Sequence, residues 1–412
     1  MWIMAKRDNL IIIGGGILQH KTFIDRPAGL GTILVDGSPN CYCAQSPFFN
    51  NDYFVKASTR KPEEVIREVK KFLKKDRAIR PVGVYTQGTD AEYTVACLAD
   101  ALGLPGIKPE VAFACNNKLK MHQLFEFHGI PHAKYRISTN IVEAKIKAEQ
   151  LGFPVVFKSL DNCASRGLTI VRKESEIPMA FYNALEYSLD KRVLLEEFLD
   201  GDEYSIDTVM YKGKLYPAGI SDRVFTQKDN FAVQDGSLTP SLLPAETQCQ
   251  MYQIMEDAAQ ALGVDNGAFK GDLVIYKKQV KILEVTARLS GGFDSQYRKP
   301  YSFGINLIKA TIDIAMGKPL DYWDIIPKWV KYSQTFTTFP KPGVVKAIRG
   351  LDEIKAMPEV KQVFMIVKVG DAVSDYRHCA NRVVHIVAVA DTYEKLVEAK
   401  KRVLDTLQII TE

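Results

Sequence analysis

Residues 155–158 read Val-Val-Phe-Lys, residues 194–199 read Leu-Leu-Glu-Glu-Phe-Leu, and residues 281–288 read Lys-Ile-Leu-Glu-Val-Thr-Ala-Arg. Each segment is an apolar strand that ends beside charged side chains. The first supplies a cation, the second a pair of carboxylates at a bend, and the third a carboxylate and a guanidinium. Because a charge at the end of an apolar strand is costly unless it is partnered, these segments predict strands that meet around a charged ligand.

Length and composition are those of a globular protein with several domains. The chain has 412 residues, a hydrophobic fraction of 46% and a net charge of +5, and this length predicts roughly two to four domains. Its basic residues are interspersed with acids, which argues against nucleic acid as a partner. The seven cysteines are scattered, with Cys41 and Cys43 the only close pair, and they fit reduced surroundings better than a disulfide framework or a zinc site.

The hydropathy pattern predicts no membrane segment. The N-terminus lacks the apolar core of a signal peptide. No run approaches the about 18 apolar residues of a membrane span. We therefore expect a cytoplasmic protein that has no membrane partner.

The first hundred or so residues alternate predicted strands and helices. Strands are expected at residues 9–13, 32–36 and 82–85, and helices at 62–75 and 92–102. This alternation predicts a mostly parallel, doubly wound α/β sheet.

A glycine triplet, Gly14-Gly15-Gly16, follows the first predicted strand. Loops of this kind allow phosphates to approach helix amides in dinucleotide-binding domains. Position 19 is Gln, where the later glycine of that fingerprint would stand. A tight strand-to-helix turn is therefore favoured, and a nicotinamide dehydrogenase is disfavoured.

Beyond this first unit the pattern changes to α+β organisation. Asn117 is expected to cap a helix that stops at Gly129. The apolar residues of that helix are Leu119, Leu124 and Phe127. Further elements are expected at residues 155–171, 191–198, 204–210, 251–262, 363–369 and 384–389, together with a hairpin of residues 271–275 and 280–285.

The C-terminal part is expected to begin near Pro340 and Pro342. Its last helix is predicted to start at a capping box, formed by Asp391 with Glu394 three residues later. The apolar stripe of that helix consists of Leu396, Ala399, Val403 and Leu407.

Several residues are candidates for binding phosphates, although no GxxxxGK[ST] loop occurs. Lys158 ends an apolar strand, where an anionic ligand would offset the cost of its charge; the alternative is a lysine that reaches solvent. Lys118, near a helix start, is a weaker candidate of the same kind. The loop Ala164-Ser165-Arg166-Gly167 is small enough for its amides to close on phosphates, with Arg166 adding a fork of donors. Taken alone, it is an ordinary turn.

The paired acids Glu196 and Glu197 lie at a strand end, where alternation directs one carboxylate inward and the other outward. The backbone from Glu197 through Phe198 to Leu199 could read the edge of an adenine ring. The inward carboxylate could accept a hydrogen bond from the amino group of that ring. A surface salt bridge is the alternative.

Asp272 and Glu284 fall on two strands joined by a short turn, so their carboxylates can converge on one face. Magnesium prefers hard oxygen ligands of this kind, and without a cation the two acids would have to lie apart. Arg288 and the turn Ser290-Gly291-Gly292 suit an acyl phosphate or a carboxylate, through the guanidinium and exposed amides. Two further candidate carboxylate contacts, on charge and position alone, are Arg223 and Arg298.

Taken together, these segments resemble the ATP-grasp superfamily of carboxylate–amine or carboxylate–thiol ligases, particularly the branch of biotin carboxylase and carbamoyl phosphate synthetase. The resemblance covers nearly the whole chain and implies an ATP-grasp fold, of mixed α/β and α+β class. The implied domains are a Rossmann-like preATP-grasp domain (1–112), an ATP-grasp domain (113–330) with a mobile small subdomain at about 130–190, and a C-terminal α/β domain (331–412). The matching residues are Ile11–Gly16, Val35-Asp36, Asn117-Lys118, Gly129-Ile130-Pro131, Lys158, Ser165-Arg166-Gly167, Glu196–Leu199, Glu203, Glu284 and Arg288.

The resemblance also implies roles at the nucleotide. Lys118 and Lys158 would contact the phosphates and the adenine region of ATP. Glu196 and the backbone of residues 197–199 would lie at adenine, and Glu203 at the ribose.

At the metal, the resemblance implies that Asp272 and Glu284 hold magnesium, with manganese as a second option. Arg288 would steady the transferred phosphoryl group. The chain departs from the family twice here. The usual Glu-x-Asn-x-Arg has Thr286 in place of asparagine, so that Thr286 is the third candidate ligand, and Asp272 is one methylene shorter than the usual glutamate.

The function implied is ATP-dependent ligation. A small-molecule carboxylate would be activated as an acyl phosphate, and an amine would displace phosphate; an amino acid ligase is one such enzyme. Two alternatives stay open: a bicarbonate-using carboxylase of the purine-biosynthesis type, and a nucleotide sensor without catalysis. A homodimer is compatible with the resemblance.

Overall fold

The computed structural model describes residues 7–49, 52–160, 167–188, 190–228, 231–376 and 381–412. These ranges contain nineteen strands and twelve α-helices. No helix within them is long and apolar enough to cross a membrane.

The N-terminal sheet is parallel, in the strand order β3-β2-β1-β4. Residues 10–13 of β1 and 33–35 of β2 are apolar and fully buried, because both faces of these central strands are covered. This confirms the doubly wound arrangement that the alternation predicts. The strands are β1 (Arg7–Ile13), β2 (Gly31–Asp36), β3 (Tyr53–Lys56) and β4 (Ile79–Tyr85), and the helices are α1 (His20–Asp25), α2 (Pro62–Lys75), α3 (Glu92–Leu102) and α4 (Pro109–Asn116).

The glycine triplet forms a tight turn after β1. Gly14 has φ +95°, a backbone conformation that favours glycine. The Gly15 N–H donates to the Asp36 carboxylate at the end of β2, 2.8 Å away. A side chain at Gly15 would collide with Cys41 Sγ. The turn therefore leads from β1 to α1, as the sequence favoured, and this hydrogen bond attaches it to the end of β2.

A second, smaller sheet is antiparallel, in the strand order β5-β8-β6-β7. Helices α6 and α7 pack on it through a core that includes Phe157 and Phe181. The elements of this part are α5 (Lys118–His128), β5 (Tyr135–Ser138), α6 (Ile141–Leu151), β6 (Val155–Ser159), β7 (Thr169–Val171), α7 (Ile177–Glu186) and β8 (Val193–Glu197).

Helix α5 begins and ends where the sequence predicts. The Asn117 side chain accepts a hydrogen bond from the Lys120 N–H, 3.0 Å away, and Gly129 ends the helix in a left-handed conformation. The expected apolar residues do not define the buried face, because Phe127 is 82% exposed. The buried face consists of Met121, His122 and Phe125.

The large sheet has eight antiparallel strands in the order β13-β12-β9-β10-β11-β14-β18-β16. Helix α8 (Ala245–Leu262) packs on β10 and β12. The C-terminal strands β14, β16 and β18 extend this sheet and do not form one of their own. Its strands are β9 (Asp202–Tyr211), β10 (Lys214–Lys228), β11 (Phe231–Thr239), β12 (Gly267–Tyr276), β13 (Gln279–Thr286), β14 (Tyr332–Phe336), β16 (Val360–Met365) and β18 (Val384–Ala390).

The remaining elements are two helices that follow β13 and the rest of the C-terminal part. A π-helical turn at Asp294–Arg298 precedes two helices beneath the large sheet. A three-stranded sheet has the order β17-β15-β19. These elements are α9 (Lys299–Phe303), α10 (Leu307–Ala315), β15 (Gly343–Arg349), α11 (Leu351–Ala356), β17 (Ala372–Val373), α12 (Tyr393–Thr406) and β19 (Gln408–Thr411).

The last helix, α12, buries the predicted stripe from Leu396 to Leu407. The expected cap was wrong by one residue, because Thr392 accepts a hydrogen bond from the Lys395 N–H. Asp391 instead forms an ion pair of 2.9 Å with Lys331.

Candidate active site

Lys158 and Glu196 form the centre of the candidate site. They lie on the adjacent antiparallel strands β6 and β8, and Lys158 Nζ is 2.6 Å from Glu196 Oε2. Burial alone would lower the pKa of Lys158, but the carboxylates of Glu196, Glu284 and Glu203 raise it above its usual value. Lys158 is therefore a charged, partly buried cation within electrostatic reach of acids on the large sheet.

The second oxygen of Glu196 lies 3.0 Å from His122 Nε2 on α5. The His122 ring is fully buried and stacks on Tyr135, with centroids 4.6 Å apart. Burial would raise the pKa of Glu196, but Lys158 and His122 outweigh it and lower that pKa to about 2. Glu196 is thus held ionised, pointing inward as the alternation predicts.

The Glu197 side chain lies on the face of β8 opposite to that of Glu196. Its carboxylate accepts from Lys281 Nζ at 2.8 Å and from the Lys134 N–H at 2.9 Å. The N–H groups of Glu197 and Phe198 donate to backbone carbonyls of Lys134 and Pro154. Two of the three amides predicted to read adenine are therefore engaged within the protein.

After Phe198, the chain passes close to strand β12 of the large sheet. Leu199 packs in a small buried cluster with Ala133 and Val274. A Cβ at Gly201 would lie 2.0 Å from the Ile275 carbonyl oxygen. Only glycine fits there, so this bend is held firmly against β12.

Asp272 and Glu284 are direct cross-strand partners on β12 and β13, so the predicted convergence on one face is correct. Asp272 is not free, however. Lys270, two residues earlier on the same face, donates to its carboxylate, and Arg223 lies 3.6 Å away. Burial would raise the pKa of Asp272, but Lys270 and Arg223 lower it to about 2.

Arg223 pairs with acids of the large sheet, Glu203 and Asp272, and does not line a separate carboxylate pocket. Its guanidinium is 2.5 Å from Glu203 Oε2 and also donates to Gln234. Burial raises the pKa of Glu203, with Asp272 adding to that rise and Arg223 opposing it. The predicted ribose residue and a predicted substrate residue are thus ion-paired with each other.

Glu284 is the more open acid, with its side chain 33% exposed and Lys118 Nζ 3.9 Å away. Thr286, two residues on, is buried, and its hydroxyl has no hydrogen-bond partner within the described chain. Among the described residues, no three His, Cys, Asp or Glu side chains are grouped closely enough to enclose a metal ion.

Arg288 lies between the large sheet and the N-terminal part. Its Nη2 atom is 3.1 Å from Asp90 Oδ1, and its Nε atom is 4.0 Å from Glu92 Oε2. The N-terminal part thus contributes carboxylates at the residue predicted to steady the phosphoryl group.

The turn after Arg288 is less open than the sequence predicts. The N–H and hydroxyl of Ser290 both donate to the buried carboxylate of Asp207. Gly291 packs against the backbone of Gly88, and Gly292 has φ +62°. The expectation of an exposed amide is therefore wrong for Ser290. For Gly291 and Gly292, amide contact with a substrate stays a prediction.

Arg298 is also internal, being only 2% exposed. Its Nη2 atom pairs with Asp294 at 3.1 Å, and Lys299 lies between Asp294 and Asp207. Burial lowers the pKa of Arg298, and Asp294 opposes that effect. We interpret this cluster as the support of the turn rather than as a surface that a substrate reaches.

The predicted phosphate loop is described only in part. Ser165 and Arg166 lie outside the described residues. Gly167 has φ +73° and sits against Tyr187 and α7.

Sequence reasoning missed several side chains of the site. His122 is four residues after Lys118, and Lys270 is two residues before Asp272, so helical and strand periodicity could have found both. Asp90 and Glu92 carry no such local signal.

Two family models match this chain. A family model described as "ATP-grasp domain" matches residues 115–292, and one described as "L-amino acid ligase C-terminal domain 2" matches residues 335–412. Residues 115–292 are thus an ATP-grasp domain. The predicted family and the ATP-grasp fold class are thereby confirmed.

Relatives of this ATP-grasp chain include long proteins. Carnosine synthase 1 of Gallus gallus is 24% identical over 77% of this chain and 36% of its own length. The large chain of carbamoyl phosphate synthase of Xanthomonas campestris is 24% identical over 89% of this chain and 34% of its own. The chain thus spans about a third of these relatives. Among solved structures, an L-amino acid ligase from Bacillus licheniformis superimposes with a TM-score of 0.83 at 23% identity, covering 99% of both chains.

Proposed function

We propose that this protein is an ATP-dependent carboxylate–amine ligase that releases ADP and phosphate. One observation carries the proposal. Cations and acids of the two sheets meet at one place: Lys158 on the small sheet lies 2.6 Å from Glu196, and Lys118 at the start of α5 lies 3.9 Å from Glu284 on the large sheet. Cations and carboxylates brought together in this way suit a magnesium nucleotide.

In this proposal ATP lies between the two sheets. Lys158 and Lys118 bind its phosphates, Glu196 and the backbone at Leu199 bind adenine, and Glu203 binds the ribose. The ion pairs of Lys158 with Glu196 and of Arg223 with Glu203 preorganise these groups. Preorganised charges stabilise a phosphoryl-transfer transition state without further rearrangement.

The residues fit a magnesium ion on the β13 side of the site. Glu284 offers an open carboxylate, and the unpartnered Thr286 hydroxyl is a neutral oxygen beside it. Asp272 fits less well, because Lys270 already neutralises it. The ion, when bound, would neutralise charge on the phosphate oxygens; manganese would accept the same donors.

The reaction that follows has two steps. The substrate carboxylate attacks the γ-phosphorus of ATP, which gives an acyl phosphate and ADP. An amine then attacks the acyl carbon and displaces phosphate. Arg288 would stabilise the transferred group, and positioning supplies most of the acceleration.

Amino acids are the substrate class to test first. The C-terminal strands β14, β16 and β18 belong to the same sheet as the proposed nucleotide residues. Most of them fall in the region that matches the L-amino acid ligase domain model. A C-terminal unit that shares the sheet is placed to form part of the substrate site.

The test is phosphate release from ATP with a panel of amino acids, small carboxylates and bicarbonate. Lys158→Ala and Glu284→Ala are each expected to abolish release while remaining folded. Lys145→Ala, which removes an exposed lysine of α6, is the matched control. Unchanged turnover in either site variant would exclude the assignment. Release that requires bicarbonate would indicate a carboxylase instead.

The contact of Lys270 with Asp272 favours a second candidate, a nucleotide-binding protein that does not turn over. Tight ATP binding in calorimetry, together with no phosphate release for any acid and amine, would establish it. A homodimer is also proposed, and light scattering of the full chain measures it.

A further inference from the structure

A cleft lies between strands β10 and β11, the chain that follows β14, and helix α12. Its volume is about 470 Å³, which is within the range of small-molecule sites. The described residues that line it include two with charged side chains, Asp235 and Lys400, and several apolar ones, among them Phe339, Leu404 and Ile409. A few polar groups set among apolar side chains are the usual composition of a binding site.

This cleft is separate from the proposed nucleotide site. On β10, the Arg223 guanidinium lies over the Phe225 ring, 5.2 Å from its centroid, so these side chains share the face on which Arg223 meets Glu203. Thr226, which lines the cleft, falls on the opposite face by alternation. Its cross-strand partner Val233 packs in the C-terminal core. The cleft therefore lies on the face of the large sheet that packs against the C-terminal part.

A β-bulge in β11 positions the acid of the cleft. The register between β10 and β11 shifts by one residue, and Asp235 is the extra residue on β11. Bulges of this kind redirect a side chain out of the regular alternation. The Asp235 carboxylate, which is 6% exposed, accepts from the Thr337 N–H at 3.0 Å and from Lys400 Nζ at 3.4 Å. The bulge thus brings a buried carboxylate to an ammonium group of α12.

The polar groups of the cleft have bonding capacity to spare. Two contacts leave acceptor sites of Asp235 unused, because the two oxygens of a carboxylate offer about four. Lys400 has three donors, and within the described chain its contacts are the long hydrogen bond to Asp235 and the face of the Phe336 ring, 5.4 Å away. The Thr338 hydroxyl, also in the lining, is buried and has no partner among the described residues. A ligand with both donors and acceptors would use these groups.

Charge and spacing decide what kind of ligand fits. The charges of Asp235 and Lys400 cancel, so a lone cation or a lone anion would leave the cleft charged, whereas a zwitterion keeps it neutral. Asp235 Oδ2 and Lys400 Nζ are 3.4 Å apart. They therefore match an ammonium and a carboxylate that one carbon atom separates, as in an α-amino acid. The two ends of a peptide are further apart. The apolar lining suits an apolar side chain.

We propose that this cleft binds a free α-amino acid with an apolar side chain. The ammonium group of the ligand binds Asp235, its carboxylate binds Lys400, and its side chain packs against Phe339, Leu404 and Ile409. The inference goes beyond the proposed function, because neither ATP nor the residues assigned to it take part. It gives the chain a second amino-acid site, on the other face of the sheet from the first.

Calorimetry of the full chain without ATP tests the ligand class, with leucine as the probe. Isopentylamine lacks the carboxylate, 4-methylpentanoate lacks the ammonium, and glycine lacks the side chain. We expect leucine to bind at least about tenfold more tightly than each of these, since each loses one charged or apolar contact. Leucylleucine should bind more weakly than leucine. No binding of leucine at millimolar concentration, or tighter binding of the peptide, would overturn the proposal.

Variants place the bound leucine. Lys400→Met is expected to weaken binding about tenfold or more, whereas Lys401→Met, at the exposed neighbouring position of α12, is the matched control. Leu404→Trp fills the cleft without removing either charge, and it should abolish binding even if Lys400→Met does not fold.

Lys158→Ala separates this site from the proposed active site. It should leave leucine binding unchanged while it abolishes phosphate release from ATP. Leucine binding that is lost in Lys158→Ala and kept in Lys400→Met and Leu404→Trp would put leucine in the active site and contradict the second site. Leucine binding that follows the cleft variants in a chain without any phosphate release would support the cleft and refute the ligase.

Discussion

Asp272 and Glu284 are direct cross-strand partners, yet their carboxylates are not equivalent. Asp272 is buried against Lys270 and Arg223, whereas Glu284 is 33% exposed and 3.9 Å from Lys118. The sequence predicts that both acids are metal ligands. In the structure, Lys270 neutralises Asp272, whereas Glu284 stays open to a ligand.

Lys270 is expected to limit metal binding. Lys270→Gln removes the ammonium from Asp272 and leaves that carboxylate free to bind a divalent ion. We predict that manganese binds about tenfold more tightly in the presence of ADP, a gain of about 1.4 kcal/mol. Electron paramagnetic resonance counts the bound ion directly. Lys278→Gln, on the exposed turn of the same hairpin, should leave the affinity as it is; an unchanged affinity in Lys270→Gln would contradict the prediction.

Glu196 should make stability depend on pH in the acid range. Its pKa falls from 4.5 to about 2 on folding, through Lys158 and His122 against the opposing effect of burial. A carboxyl with a lowered pKa stabilises the native state above its unfolded pKa, and that contribution is lost as the pH falls through the folded value. We expect a loss of at most about 3 kcal/mol between these two values.

Urea unfolding at neutral pH and at about pH 3 measures this effect. The wild type should lose more stability on acidification than Glu196→Gln does. Glu149→Gln, an exposed glutamate of α6, serves as the control. Equal losses in the wild type and Glu196→Gln would show that the cluster does not form.

Gly201 should tolerate no side chain. Gly201→Ala places a Cβ against the Ile275 backbone, and backbone cannot move aside as a side chain can. We predict a loss of about 1–3 kcal/mol of stability, typical of overpacking, together with weaker ATP binding, because the adenine hinge shifts. Gly37→Ala has ordinary space around it and should change neither quantity. Calorimetry gives both readouts, and wild-type affinity in Gly201→Ala would contradict this view of the hinge.

The buried ion-pair cluster beneath the Ser290 turn is expected to stabilise the fold. It consists of Asp207, Asp294, Arg298 and Lys299. Lys299 is fully buried between Asp207 and Asp294. Lys299→Met leaves two buried carboxylates with one cation fewer, and breaking such a pair costs about 3–5 kcal/mol. Lys145→Met, on α6 and in an exposed ion pair with Glu174, should cost less than about 1 kcal/mol. Thermal unfolding compares the two, and similar midpoints would contradict the structural role.

Local patterns in the sequence were sufficient for much of the fold. The alternation of strands and helices predicts the parallel N-terminal sheet, and period two predicts that Glu196 points inward and Glu197 outward. These features depend on neighbours a few residues apart, which the sequence displays directly. The domain boundaries and the roles of the site residues stay predictions.

Tertiary structure alone decided the surroundings of the segment from Lys281 to Arg288. It brings Asp90 and Glu92 to Arg288, although Asp90 and Arg288 are 198 residues apart in the chain. It also joins the C-terminal strands to the large sheet and withdraws Arg298 into the interior. Sequence periodicity shows which face of a strand is buried, whereas the partner that covers that face depends on how distant elements pack. The sequence therefore determined the charged strands, and their packing decided which of those charges are left for a ligand.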